Sequence, residues 1–131
     1  MIITEQNYVE KAERAIKVLK NKKNEKTQRT IPMVTTSKIR NLLSIINDIY
    51  NEILNYQNEK LSEEICGRID YLKVRFVYEA GRETSVKSFI EVTEILECLN
   101  EIKGSKKNFL LFSRYMEALV AYHKFYGGKE N

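Results

Sequence analysis

Arginine stands at positions 68, 75 and 82, seven apart each time, and tyrosine at 71 and 78, three after the first two arginines. On an α-helix these five positions fall within about 80° of one another. One face would then show three guanidinium forks interleaved with two phenol rings. Guanidinium forks match phosphate oxygens in pairs, and tyrosine rings stack on bases or support the arginines. The chemistry that suits this face is recognition of single-stranded nucleic acid or an RNA backbone. An internal alternative stands beside it. Asp70, Glu79 and Glu83 are near enough in sequence to take the arginines as ion pairs, and Tyr71 and Tyr78 could close a core with their hydroxyls at its rim.

A second cluster lies in the stretch TTSKIRNLLS, where Ser37, Lys38 and Arg40 occupy the first turns of a helix. Helix N-termini favour anions, so cations there cost a few tenths of a kcal/mol unless something negative sits nearby. Free N–H groups, a serine and two cations together make a phosphate site. Ordinary exposed cations, paired with Glu5 or Glu10, are the other reading.

Signs of catalysis are absent. His123 is the one histidine, with no cysteine or acid cluster around it in sequence, and reads as a structural residue. HExxH and paired CxxC spacings for a metal are missing, as are a GxxxxGK[ST] phosphate loop and a GxSxG elbow. No metal, cofactor or catalytic residue is expected. Cys66 and Cys98 are far apart and read as small apolar side chains, with a disulfide left open.

The elements that must position these residues are helical. Few breakers (one proline, five glycines), no tryptophan and many Lys, Glu, Leu and Ile predict an all-α protein, a compact bundle of about five helices. A first helix is expected over about 5–20, capped by Thr4, with Tyr8, Val9, Ala12, Ala15, Ile16 and Leu19 as its apolar stripe. A second begins at Thr35 or Thr36 and carries Ile39, Leu42, Leu43, Ile46, Ile49, Ile53 and Leu54. A third follows Ser62 to about 81, its core arc formed by Ile65, Ile69, Leu72, Phe76 and Ala80. A fourth spans about 86–103, ended by Gly104 and flanked by Glu91, Glu94, Glu97 and Glu101, which read as a solvated face. A fifth opens at Ser105 and stops at Gly127-Gly128. Phe109, Leu110, Leu111, Phe112, Met116, Leu119, Val120 and Phe125 make it apolar almost all round, as the central helix of a bundle is.

With 131 residues the chain reads as one domain, 1–131, long enough for an apolar core without staples. The net charge of +4 is unevenly spread. Residues 1–40 hold ten Lys/Arg against four Glu, whereas the remainder holds twelve against fourteen acids. Much of the excess sits in a polar, basic loop at about 21–34, read either as a solvated spacer or as a loop that touches a polyanion. The N-terminus has no apolar signal-peptide core, and runs such as FLLF are too short to span a membrane. A cytoplasmic protein is expected.

The stretches QNYVEKAER (6–14), TTSKIRNLLS (35–44), YLKVRFVYEAGR (71–82), VKSF (86–89) and RYMEALVAYHKFYGG (114–128), in this order and spacing, resemble the small subunit of the type III-A CRISPR–Cas effector complex. The resemblance implies a non-catalytic helical bundle whose copies stack head to tail as an inner filament along a guide-RNA ribonucleoprotein. Its implied partners are guide RNA and target RNA, further copies of itself, and the backbone, large signalling and capping subunits of the antiviral effector, with no membrane. The positions carried onto RNA binding are Ser37, Lys38, Arg40, Arg68, Arg75, Tyr78, Arg82 and Lys87. Because guide–target pairing reads sequence, such a subunit needs only phosphate and sugar contacts.

Two other functions compete with this one. A purely structural, protein-interacting bundle would use its basic residues only to balance acidic neighbours. A helix-turn-helix DNA binder is disfavoured, because no short glycine-containing turn precedes a polar recognition helix.

Overall fold

The computed structural model describes residues 1–22, 27–29 and 32–128. The basic loop expected at 21–34 lies outside the described residues at 23–26 and 30–31. Among the described residues the chain forms six helices and no strand: α1 (Tyr8–Lys20), α2 (Thr36–Leu54), α3 (Glu63–Arg82), α4 (Thr84–Thr93), α5 (Ile95–Asn100) and α6 (Lys106–Phe125). The all-α class holds. Six helices stand in place of about five because the expected fourth helix is two.

The helix starts follow local chemistry. The Thr35, Ser62 and Ser105 hydroxyls accept hydrogen bonds from the backbone N–H groups of Lys38 (3.4 Å), Ile65 (3.2 Å) and Asn108 (3.1 Å). Thr4 acts one turn before α1. It exchanges bonds with Asn7, its N–H donating to Asn7 Oδ1 (2.7 Å) and its Oγ1 accepting from the Asn7 N–H (3.1 Å). The helix proper therefore begins at Tyr8 rather than near Glu5. At the far end, Gly127 sits at φ +85°. Its N–H donates to the Lys124 carbonyl (3.2 Å), and that of Gly128 donates to the His123 carbonyl (2.8 Å), a Schellman stop.

The expected helix over 86–103 breaks at Glu94, which takes the left-handed conformation at φ +58°. Across the core the Tyr115 hydroxyl donates to the Thr93 carbonyl (2.8 Å), satisfying one of the acceptors at the end of α4. Thr93 also turns its hydroxyl back onto the Phe89 carbonyl (2.7 Å). Gly104, at φ +73°, is not the end of a long helix. It lies in the turn before α6, where its carbonyl accepts from the Leu61 N–H (2.8 Å).

Helix α6 packs on both α1 and α2, α3 packs mainly on α4, and α2 meets α3 along one side. Tyr115, Phe76, Phe89, Phe109 and Phe112 are the largest fully buried side chains. Most of the apolar stripes are buried as their periodicity predicts. Val9, Leu54 and Phe125 are not: they lie exposed at the edges of their stripes. The acidic flank is partly internal. Glu94 pairs with Lys11 (3.0 Å), and Glu101 accepts from the Ile2 N–H (2.7 Å). Both cysteines are free, and burial, followed by the charge of Glu101, pushes the Cys98 thiol up to about 12, away from reactivity.

The α6 N-terminus is held by Glu59. Its carboxylate accepts from the Ser105 hydroxyl (2.5 Å) and from the Lys107 N–H (3.1 and 3.3 Å). The Ser105 bond first, and the Lys107 amide second, hold this carboxyl below its ordinary 4.5. A depressed folded-state value adds stability that is complete above the unfolded value and is lost as pH falls through the folded one. Urea midpoints of wild type and Glu59→Gln should therefore differ at neutral pH, with wild type the more stable. They should converge well below 4.5. A gap that stays constant with pH would remove the carboxylate from this role.

Candidate nucleic-acid interface

The arginine–tyrosine face of α3 and the start of α2 come together where these helices pack. Ile65, Ile69, Leu72 and Phe76 turn inward as the core arc of α3. The opposite arc leaves Tyr71 and Tyr78 about three-fifths exposed. These tyrosines are outside the core, which removes the core reading of their role.

Lys38, Arg75 and Arg82 line one groove of about 240 Å³, together with Asn41, Leu42, Ile45, Glu79 and Val86. Leu42 and Val86 of its lining are buried, and three cations line it beside the carboxylate of Glu79. Lys38 is ion-paired with Glu83, at the C-terminal cap of α3. Arg82 lies 3.6 Å from Glu79, and its guanidinium carbon sits 5.6 Å from the centre of the Tyr78 ring. Tyr78 thus supports an arginine. Arg75 is exposed and makes no ion pair among the described residues. Two carboxylates therefore already occupy two of the three cations, and the third is open to a ligand.

The other expected site residues separate from this groove. Arg68 pairs with Glu52 of α2, not with Asp70, and acts as a clasp between the two helices. It lines a different cleft with Ile45, Asp48, Ile49, Glu64, Gly67 and Tyr71. Ser37 and Arg40 are exposed on the first turns of α2, and Lys87 is exposed on α4; none of the three lines the groove. Lys38 does not reach Glu5 or Glu10: its partner is Glu83, and Glu10 pairs with Arg14 (3.1 Å). Sequence reasoning passed over Asn41, whose polar side chain one turn after Lys38 was the available signal.

His123 is fully buried. Its Nε2 lies 2.5 Å from the Val34 carbonyl and its Nδ1 3.2 Å from the Thr36 hydroxyl. A carbonyl can only accept, so Nε2 carries a proton and donates to it; in the neutral ring Nδ1 then accepts from Thr36. The imidazole ties α6 to the start of α2. A Cβ on Gly128 would overlap this ring, so the close approach of that backbone requires glycine. No group of three or more His, Cys, Asp or Glu among the described residues is placed to hold a metal ion. No described helix is long and apolar enough to cross a membrane.

The family model for Csm2 Type III-A matches residues 6–129. A curated relative from Streptococcus thermophilus, described as CRISPR system Cms protein Csm2, is 48% identical over 129 residues, covering 98% of each chain. One of the same description from Enterococcus italicus is 47% identical over 95 residues, 71% of this chain and 68% of the relative. Another, from Mycobacterium tuberculosis, is 40% identical over 97 residues, 74% of this chain and 78% of the relative. The resemblance carried by the α2, α3 and α6 motifs is thus a family relationship: the chain belongs to the Csm2 Type III-A family, small subunits of the type III-A CRISPR–Cas complex.

Proposed function

We propose that the chain acts as a single helical domain in the cytoplasm, a non-catalytic subunit that stacks in several copies and grips the backbone of guide and target RNA. Its neighbours in this reading are the backbone, large signalling and capping subunits. The observation that carries the RNA contact is the groove where Lys38, Arg75 and Arg82 converge from two helices. Phosphate oxygens would replace Glu79 and Glu83 as partners of Arg82 and Lys38, and would meet Arg75 directly. That exchange keeps the affinity of a lone subunit low, so binding accumulates along a row of copies.

Arg75→Ala tests it. Arg75 is exposed and outside the core arc, so the variant should keep its helicity. Its binding to single-stranded RNA should weaken, and the log–log salt dependence should flatten by roughly 0.7, the share of one phosphate contact. An unchanged slope would remove Arg75 from RNA contact, and a loss of helicity by circular dichroism would make Arg75 a structural residue instead.

A second reading has its own support. Val74 and Val77 lie between the tyrosines and are more than half exposed. Aliphatic side chains on that outer arc suit a protein neighbour better than a phosphate backbone. Under this reading Val74→Asp would break assembly with the other subunits, and Arg75→Ala would leave RNA retention intact.

A further inference from the structure

At the end of the molecule formed by the C-termini of α1 and α6, Phe125 is 76% exposed, more than any other large apolar side chain among the described residues. It stands edge-on to Tyr126, with ring centres 5.1 Å apart and planes at 84°. Tyr126 in turn lies nearly parallel to Tyr122 at 6.4 Å. The Tyr126 hydroxyl donates to Glu13 (2.6 Å), which anchors the aromatic group to α1. The ammonium groups of Lys17 and Lys20 each lie 5.8 Å from the centre of the Tyr126 ring. This cluster shares no residue with the α2–α3 groove.

Cations in the last turn of a helix complement its dipole, which accounts for Lys17 and Lys20 but not for an uncovered phenylalanine. An apolar protein neighbour would need aliphatic surface continuing from the ring. Val18, the exposed apolar residue of the same α1 turn, instead lines a separate cleft with Lys11, Arg14, Ala15 and Val92. Among the described residues Phe125 touches the ring of Tyr126, and it is that ring which the two ammonium groups flank. Of the described acids on α1, Glu13 is engaged by Tyr126 and Lys17, and Glu10 by Arg14. An exposed ring in one cluster with two cations is what a single nucleic-acid strand takes, with a base on the ring and phosphates on the lysines.

We infer that Phe125, braced by Tyr126, is a second single-stranded RNA subsite, with Phe125 as the stacking platform and Lys17 and Lys20 as its phosphate contacts. The inference rests on the reading of the chain as an RNA-binding subunit and extends the strand beyond the groove.

The test is a salt series of binding to a uridine homopolymer long enough to reach both surfaces, using the full chain. Phe125→Leu should weaken binding roughly 5- to 100-fold, the loss of one base–aromatic stack, with the salt slope unchanged. Phe125→Tyr should retain binding. Lys17→Gln with Lys20→Gln should instead flatten the slope by roughly 0.7 per lysine. Leucine is as apolar as phenylalanine, so a purely hydrophobic role predicts no loss. Binding by Phe125→Leu that equals wild type while Arg75→Ala binds weakly would overturn this subsite and leave the groove standing. Wild-type binding by both variants, or none by the parent chain, would overturn the two together.

Discussion

Phe112→Ala should lower the folding stability by about 3–5 kcal/mol, the usual range for truncating a fully buried aromatic ring. Phe112 is 0% exposed and packs 6.3 Å from Phe109, centre to centre, on the helix that both α1 and α2 rest against. Removing the ring takes away its transfer free energy and leaves a cavity in the core. Against a typical total of about 5–15 kcal/mol, such a loss consumes a large share of the stability. It should appear as a fall in the urea midpoint with the slope of the transition unchanged. Phe125→Ala on the same helix is the internal control. Its ring is mostly in water, so the change should stay within about 0.5 kcal/mol. A Phe112 loss well under about 1.5 kcal/mol would mean that α6 is not the centre of the core.

The second large effect is expected at His123. His123→Leu preserves much of the volume but strands the Val34 carbonyl and the Thr36 hydroxyl, which it serves from a fully buried position. Each buried polar group left without a partner costs about 1–3 kcal/mol, so the variant should lose about 2–5 kcal/mol. Thr36→Val, which strands only Nδ1, should lose less. Because the imidazole joins the end of α6 to the start of α2, His123→Leu should also loosen Lys38 against Glu83. Amide exchange in the first turn of α2 would report this as faster opening than the global loss requires. A stability equal to wild type would show that water or a backbone shift satisfies both groups, and that the histidine is dispensable.

These two positions also show the difference between what periodicity reveals and what it hides. Phe112 was legible as core because α6 carries apolar residues almost all round. His123 was legible only as non-catalytic. Its partners are 87 and 89 residues away in sequence, and no local pattern points to them. The same holds for Tyr115. Its hydroxyl meets the Thr93 carbonyl where the expected helix divides into α4 and α5, a break that the residues around Glu94 do not announce by any glycine or proline.

The candidate site divides along the same line. The heptad spacing of Arg68, Arg75 and Arg82 placed all three on one arc of one helix, and the structure keeps them there. Which of them work together depended on α2. Glu52 claims Arg68, Glu83 claims Lys38, and the groove that remains gathers Lys38, Arg75 and Arg82. Coulomb interactions of this kind fall off with distance in space, not along the chain, so a one-dimensional reading cannot rank them.

By itself, then, the sequence determined what is decided within a turn or two of helix. It set the helical class, the caps at Thr35, Ser62 and Ser105, the glycine stop at 127–128, the inward arcs, and the basic character of the N-terminal part. Hydrogen bonds from i to i+4 and side-chain spacing of 3.6 are local, and local chemistry is written in order along the chain. The tertiary structure alone decided the break at Glu94, the burial of His123 between Val34 and Thr36, the choice of partner for each cation, and the exposure of Phe125 next to the Tyr126 ring that Lys17 and Lys20 flank. Each of these depends on which surfaces the packing of α6 brings together, and packing joins residues that the sequence keeps far apart.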